Sequence, residues 1–263
     1  MRVMSYNTLL GGYDGDDDSR YHKLVAAVNE ARPDVLMCQE LQHYLRWGQR
    51  RNLRFERDTG LRGFLAFAPH TDLHTAVYIG PGVKPISFEA ESTHFWHSAA
   101  MLTAEAPGFD RPVTFVSIHL CPAATPARIQ EAAFLMAFGA PDAHALLAGD
   151  FNTLSPFDPE RENFWGIPTH HRARHLTVDG KLETRPMDDF EMYGLKDVAA
   201  HLGKNLDYTV PSDGHAEGNF CRVRLDYFLA SADLLDRFSS YQVVKTPNTD
   251  VASDHFPIMV EMA

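Results

Sequence analysis

The sequence lacks several features that would assign it to a membrane, secreted or zinc-finger class. No apolar run approaches the roughly 18 residues that a membrane span needs, so we predict no transmembrane helix. The N-terminal segment enters a predicted strand at once, which leaves no room for a signal peptide, and we expect a cytoplasmic protein. The 3 cysteines, Cys38, Cys121 and Cys221, are odd in number and widely spaced, which indicates a reducing compartment and no paired-cysteine zinc knuckle.

An excess of positive charge is also missing. Lys and Arg total 24 against 35 Asp and Glu, so the net charge is −11 at pH 7. Such a chain has no overall basic surface for gripping nucleic acid, although a local basic groove or bound divalent cations can compensate. No repeat or low-complexity linker divides the 263 residues, of which 44% are hydrophobic. We therefore predict a single domain over residues 1–263 and a monomer.

The chain is organised around the predicted strand and turn over residues 145–152. Four small or apolar residues indicate a strand buried on both faces, and Gly149-Asp150-Phe151-Asn152 follows them. A buried carboxylate without a partner costs several kcal/mol, so Asp150 at this strand end needs a cation or hydrogen-bond donors. A simple Asx turn, in which Asn152 caps its own loop, is the structural alternative.

Other predicted strands also end on polar side chains. A strand–helix–strand pattern over residues 2–40 places polar groups at the carboxyl ends of both strands, as expected for a site at a sheet edge. The dense run of short strands over residues 63–103 indicates antiparallel pairing nearby. The polar residues of the resulting constellation are Asn7, Glu40, His119, Asp150, Asn152, Asp226, Asp254 and His255.

Three further segments are less regular, and their patterns lead to separate expectations. We predict a short helix over residues 194–202 and a strand over residues 223–229 that carries Asp226 in its middle. A mid-strand aspartate is costly unless it has a partner. The segment His94-Phe95-Trp96-His97 indicates a cross-strand aromatic cluster or, alternatively, a lid that faces the substrate.

The polar constellation is suited to the hydrolysis of a phosphoester by water. Hard oxygen ligands without cysteine favour Mg²⁺ or Mn²⁺. Neutral amides can donate N–H groups to a phosphate, and a histidine held by an aspartate is a positioned acid/base or a fixed cation. These parts supply a Lewis acid, a positioned nucleophile and charge stabilisation. The 14 histidines form no His-Glu-x-x-His pattern, so a zinc hydrolase ranks lowest.

Six motifs carry a resemblance to a known family. In chain order they are Tyr6-Asn7, Gln39-Glu40, Ser117-Ile118-His119-Leu120, Gly149-Asp150-Phe151-Asn152, Arg224-Leu225-Asp226-Tyr227 and Ser253-Asp254-His255. In these motifs the sequence resembles the endonuclease/exonuclease/phosphatase (DNase I-like) superfamily. The resemblance implies an α/β fold, a four-layer α/β/β/α sandwich in which helices flank two mixed, mostly antiparallel sheets. His119 stands where exonuclease III-like abasic-site enzymes carry a tyrosine, which argues against abasic-site repair.

The resemblance also implies a metal site. Glu40 would bind the divalent cation, Mg²⁺ or Mn²⁺, and Asn7 and Asp254 would lie near it or in its water shell. Members of this superfamily share this core and differ in their loops, so the motifs do not specify the substrate.

The remaining motif residues receive catalytic roles from the resemblance. Asp150 and Asn152 would orient the attacking water and the phosphate, and His119 would contact a phosphate oxygen. His255 would act as a base or as a phosphate-binding cation, oriented by Asp226. Counterparts of either Asp150 or His255 have been assigned as the water activator in this superfamily, and both assignments remain open here.

The function predicted from the sequence is a Mg²⁺- or Mn²⁺-dependent phosphoesterase. Basic residues cluster in two places, over residues 46–57 and over residues 170–175, and we predict that Arg172 and Arg174 contact the substrate. The net charge favours a small or short phosphorylated substrate. A DNase I-like endonuclease or exonuclease acting on nucleic acid is the first alternative. A non-catalytic binding module on the same scaffold is the second.

Overall fold

Two β-sheets form the centre of the protein in a computed structural model, which describes residues 1–158, 164, 168–204, 206–216 and 221–263, with residues 170 and 171 described by their backbone alone. The strands are β1 (Arg2–Asn7), β2 (Val35–Gln42), β3 (Arg62–Ala66), β4 (Leu73–Ile79), β5 (Lys84–Glu91), β6 (Ala99–Glu105), β7 (Val113–His119), β8 (Ala145–Asp150), β9 (Lys196–Asp197), β10 (Asp226–Ala230), β11 (Phe238–Val243) and β12 (Ile258–Met262). The helices are α1 (Ser19–Ala31), α2 (Arg50–Thr59), α3 (Thr125–Leu135), α4 (Thr169–Arg172), α5 (Arg185–Met192), α6 (Val198–His201) and α7 (Thr249–Ala252).

Each sheet contains six strands and one parallel pair. The first sheet has the order β11-β12-β1-β2-β4-β3, and the second has the order β5-β6-β7-β8-β10-β9. The parallel pairs are β1 with β2 and β7 with β8, and the remaining neighbours run antiparallel. The carboxyl ends of all four parallel strands therefore lie at one end of the two sheets, where loops commonly build a site.

Three apolar clusters hold the layers together. The two sheets pack face to face through side chains such as Met37 of the first sheet and Phe115 of the second. The outer face of the first sheet buries apolar residues of α1 and α2, and that of the second buries residues of α3 and α5. This arrangement confirms the predicted four-layer sandwich with mixed, mostly antiparallel sheets. In the described ranges, no helix has the length and apolarity to cross a membrane.

Two local predictions are corrected by the strand pairing. Asp226 begins β10 and does not lie in the middle of a strand. Because β10 runs antiparallel to β8, Asp226 pairs with Asp150 at the end of the sheets that carries the other polar residues. The predicted helix over residues 194–202 is a two-residue strand, β9, followed by the short helix α6, because the edge of the second sheet accepts Lys196 and Asp197 as partners of β10.

Close packing around two residues fixes the strands that carry the aspartates. A Cβ atom on Gly149 would lie 1.8 Å from the carbonyl oxygen of Ile118, so only glycine allows this approach just before Asp150. Arg224 is buried just before β10, and its guanidinium lies 2.6 Å from a carboxylate oxygen of Asp197 and 2.8 Å from one of Asp158. A buried cation paired in this way holds the beginning of β10 in one position.

Candidate active site

The predicted polar constellation assembles around one cavity at the carboxyl ends of the parallel strands. The cavity has a volume of about 220 Å³. Six of the predicted residues line it, namely Glu40, His119, Asp150, Asn152, Asp254 and His255. The other two of the eight, Asn7 and Asp226, are buried and hydrogen-bonded to cavity residues. Residues from nearly opposite ends of the chain therefore meet at this cavity, as the predicted strand ends indicate.

Asp150 is the centre of the polar network. Its Oδ2 atom accepts a hydrogen bond of 3.1 Å from the amide of Asn7 and lies 3.4 Å from Nε2 of His119 and 3.7 Å from Nε2 of His255. Its Oδ1 atom accepts a hydrogen bond of 2.8 Å from the backbone N–H of Asn152. Both oxygens of this buried carboxylate are thus held in place. The hydrogen-bond donors that a buried carboxylate needs are therefore present.

His255 and Asp226 form a hydrogen-bonded pair on one side of the cavity. Nδ1 of His255 lies 2.8 Å from Oδ2 of Asp226, so the carboxylate orients the ring and directs Nε2 towards Asp150. The backbone N–H of Asp226 donates to the hydroxyl of Thr209, and that of His255 donates to the hydroxyl of Ser253. Hydrogen bonds therefore hold the backbone of both residues, at the beginning of β10 and in the loop before β12.

Glu40 reaches the cavity because the second strand is irregular. The pairing of β2 with β4 shifts register between Cys38 and Leu41, and Glu40 has a positive φ of 60°. Such a bulge turns a side chain away from the direction that regular alternation would give it. The carboxylate accepts hydrogen bonds of 3.3 Å each from the Asn7 amide and from the backbone N–H of Leu10. It remains half-buried, with access to the cavity.

The cavity wall around Glu40 offers oxygen ligands for a divalent cation. In the part of the chain that the structure describes, no three His, Cys, Asp or Glu side chains come together as a group that could hold a metal ion by itself. Mg²⁺ does not need one, because it commonly binds one or two carboxylates and keeps several water ligands. Glu40 and Asp254 are hard-oxygen groups on the cavity wall, and the amide of Asn7 lies beside Glu40. These residues fit such an open Mg²⁺ site.

The charges of the buried groups reflect this network. Burial opposes protonation of His255, but the carboxylates of Asp226 and Asp150 outweigh it and raise the pKa of His255 well above its usual value. Burial likewise opposes protonation of His119, and its contact with Asp150 raises the pKa of His119. Burial alone would raise the pKa of Asp150, yet His255 and His119 lower it below its usual value. The network therefore favours an anionic Asp150 between two imidazolium rings.

The two predicted substrate-binding arginines occupy different positions. Arg174 lines the cavity, and its backbone carbonyl accepts a hydrogen bond of 2.9 Å from the buried guanidinium of Arg128. Arg172 lies outside the cavity wall and donates to the hydroxyl of Thr169 at 2.9 Å. His170 and His171, which belong to the same predicted cluster, have side chains outside the described part of the structure.

His97 is one of several cavity residues that are absent from the predicted set. His97 lies in the loop before β6, is only 2% exposed, and lines the cavity beside His119. Burial and the neighbouring His119 lower the pKa of His97 to about 2, so this ring is neutral. The aromatic run of residues 94–97 is the sequence signal that drew attention to this loop, but it does not distinguish His97 from its neighbours.

Solved structures share this fold over almost their whole length. An endonuclease/exonuclease/phosphatase from Bacteroides vulgatus has a TM-score of 0.73 and 13% sequence identity, and the match covers 100% of this chain and 98% of that chain. A mannosyl-6-phosphatase from Bacteroides thetaiotaomicron has a TM-score of 0.70 and 16% identity, with 100% and 99% covered. TDP2 from D. rerio in complex with a single-strand DNA product has a TM-score of 0.65 and 20% identity, with 99% and 97% covered.

Sequence comparison gives the family. No curated protein matches the chain significantly. The model of the endonuclease/exonuclease/phosphatase family matches residues 4–255, which is nearly the whole chain and contains every motif residue described above. This match, the sandwich fold and the assembled polar site all agree with the resemblance predicted from the motifs. The chain belongs to the endonuclease/exonuclease/phosphatase family.

Proposed function

We propose that this protein is a divalent-metal-dependent phosphoesterase that hydrolyses a small or short phosphomonoester or phosphodiester by water attack. The observation that carries the proposal is the buried carboxylate of Asp150, which lies between the His119 and His255 rings on the wall of one cavity. A fixed anion flanked by two positioned imidazoles can orient a water molecule and bind phosphate oxygens at the same time.

In this mechanism each residue acts on the phosphate or on the water. Glu40 and Asp254, with Asn7, would hold the cation, which supplies Lewis-acid activation when it is bound. Asp150 accepts a hydrogen bond from the attacking water and orients it. His255 is held by Asp226 and presents Nε2 to the same region. Asp150 can take the proton of the water as a carboxylate, and His255 can take it only when its ring is neutral.

The phosphate itself would be held by the remaining residues of the cavity. His119 and Asn152 both contact Asp150 and line the cavity, where N–H groups can donate to phosphate oxygens. Charge on those oxygens grows as the water attacks, so donors that are already in position stabilise the transition state more than the ground state.

The size of the cavity supports a small substrate. Its volume of about 220 Å³ is below the roughly 300–1,000 Å³ of pockets that enclose drug-sized ligands. Its wall also contains the apolar residues Leu73, Val210 and Leu225. Among the structurally similar proteins, the mannosyl-6-phosphatase supports a small phosphoester as the substrate.

The basic segment over residues 46–57 does not favour a long polyanion. Three of its five arginines are paired with acidic groups: Arg46 lies 3.1 Å from Asp72, and Arg54 lies 2.7 Å from Asp18. Arg57 likewise lies 2.9 Å from Asp58. A surface whose cations already have acidic partners has less charge to offer a nucleic acid backbone.

A substrate panel at two salt concentrations tests this function. We expect hydrolysis of small phosphoesters with little dependence on salt, because a few cations inside a cavity are weakly screened. Arg174→Ala should raise KM, and Arg172→Ala in the same panel tests the second predicted arginine. Plasmid DNA, single-stranded DNA and RNA are the competing substrates. Efficient cleavage of plasmid DNA that falls steeply with salt would replace this proposal with a nuclease.

The Asp226–His255 pair gives a second test. We expect Asp226→Asn and His255→Ala each to lower kcat by about 10²- to 10⁴-fold, the usual contribution of a positioned acid/base group. The double variant should be little worse than the more damaging single variant, because the two residues act as a unit. Asp236→Asn, at an exposed aspartate, is the control. Fully additive losses in activation free energy would show that the pair does not work together.

A further inference from the structure

We propose that His97 is a positioning residue for His119, a role that rests on the proposed phosphoesterase function. The His97 ring provides a flat, fixed surface that holds the His119 imidazole in the orientation in which Nε2 faces Asp150. The proposal is carried by the stacking of the two rings, by the few other contacts of His119 and by the rigid attachment of His97.

The two imidazole rings lie face to face inside the protein. Their centroids are 4.1 Å apart and their planes differ by only 14°. Both residues are almost completely buried, with 2% of His97 and 3% of His119 exposed. The contact follows from the pairing of β6 with β7, in which Ala99 lies opposite Ile118, so the residues just before β6 lie beside the end of β7.

His119 has little else to fix the rotation of its ring. A functional histidine is commonly oriented by a hydrogen bond at the nitrogen that does not face the reaction. Here Nδ1 of His119 is buried, and it finds no hydrogen-bond partner among the described residues. The ring is therefore oriented by Asp150 at Nε2 and by the surface on which it stacks.

His97 is attached firmly enough to serve as that surface. Its Nδ1 atom lies 2.9 Å from the hydroxyl of Thr71, which also accepts a hydrogen bond from the backbone N–H of Leu73. The preceding residue, Trp96, donates its backbone N–H to the buried carboxylate of Glu131 at 2.7 Å. The following residue, Ser98, is bonded through its side chain to the carbonyl of Ala66 at 3.1 Å.

The pattern of donors at Thr71 also explains why a histidine suits this place. The hydroxyl of Thr71 already accepts from Leu73, so its own hydrogen can be donated to Nδ1 of His97. A neutral imidazole accepts that bond and keeps its flat face for His119. A second cation at this distance from His119 would instead repel it, since both rings are buried.

Two variants of similar bulk distinguish the effect of a flat ring at residue 97 from the effect of filling the same space. His97→Phe keeps a flat aromatic surface, and His97→Leu fills similar space without one, while both lose the bond to Thr71. We expect kcat of His97→Leu to lie about 10- to 100-fold below that of His97→Phe, the range seen when outer partners of functional histidines are removed. His94→Ala is the control, because His94 lies in the same loop as His97 but does not line the cavity. Its ring stacks on that of Phe134 with a centroid distance of 3.8 Å.

A measurement that needs no turnover accompanies the kinetics. In protein labelled with ¹⁵N at histidine, and with signals assigned through His119→Gln, the His119 ring should give one sharp set of resonances in the wild type and in His97→Phe. In His97→Leu these resonances should broaden or split, because the ring samples several orientations. The denaturation midpoint of each variant, measured in parallel, identifies any variant that fails to fold.

The outcomes distinguish this inference from the proposed function. Equal rates for His97→Phe and His97→Leu overturn it. If both match the wild type, the stack has no role, and if both are equally low, the ring nitrogens or their bond to Thr71 matter and the flat surface does not. Unchanged His119 resonances in His97→Leu also overturn it. If the wild type hydrolyses no phosphoester but the resonances change as expected, the proposed function fails and the positioning role stands.

Discussion

Treatment with EDTA should abolish phosphoester hydrolysis by this protein, and excess Mg²⁺ or Mn²⁺ should restore it. The physical reason is charge. The cavity wall carries the carboxylates of Glu40, Asp150 and Asp254, and a phosphoester that enters it is also an anion. A bound divalent cation would offset this repulsion and would polarise the phosphate, and the carboxylate oxygens of Glu40 and Asp254 are ligands that Mg²⁺ and Mn²⁺ prefer.

Metal binding can be measured separately from activity. We expect Mn²⁺ to bind the wild-type protein in calorimetry, and Glu40→Gln to weaken that binding and to raise the Mg²⁺ concentration needed for half-maximal activity. Glu89→Gln is the matched control, because Glu89 is exposed on β5. Full activity of the metal-free protein, with metal analysis to prove the removal, would contradict the assignment of this site.

Asp150→Asn should cause a loss of kcat near the upper end of the roughly 10²- to 10⁴-fold range of acid/base groups. Oδ2 of Asp150 meets the Asn7 amide and the Nε2 atoms of His119 and His255, so three groups that can donate converge on one oxygen. An asparagine has nearly the same shape but no charge, and its NH₂ group cannot accept a hydrogen bond. Both the orientation of the water and the pairing of the two rings would be lost.

The expected loss is specific to this aspartate. Asp236→Asn should leave kcat unchanged, and circular dichroism should show that both variants keep the fold. A kcat for Asp150→Asn within about tenfold of the wild type would show that this carboxylate does not take part in the chemistry.

The strand-end pattern was sufficient to identify most of the candidate site from the sequence. Apolar runs that stop at a polar side chain, as at Asn7 and Asp150, indicate a strand and the edge at which it ends. Because parallel neighbours end at the same edge, residues from distant parts of the chain could be assigned to one place before the fold was known. The motifs then supplied the family and its four-layer sandwich, which the structure and the family match confirm.

The pairing of strands decided what local patterns could not. Alternation along residues 223–229 placed Asp226 in the middle of a strand, whereas its antiparallel partner β8 makes it the first residue of β10 and brings it to His255. The bulge that turns Glu40 into the cavity depends in the same way on how β2 pairs with β4. Register is a relation between two strands, so the periodicity of one strand does not contain it.

The sequence by itself determined the family, because the six motifs are local in the chain, and the resemblance to that family implied the sandwich fold. Hydrophobic periodicity added the strand ends at which the candidate residues lie. Only the tertiary structure decided that His97 stacks on His119 and that Arg174 lines the cavity while Arg172 does not. It also decided that acidic groups pair with three of the five arginines of residues 46–57. Some of these contacts join residues that are distant in sequence. Others depend on the direction in which a side chain points. They depend on packing between layers, which minimises buried unpaired polar groups over the whole molecule and not within any one segment.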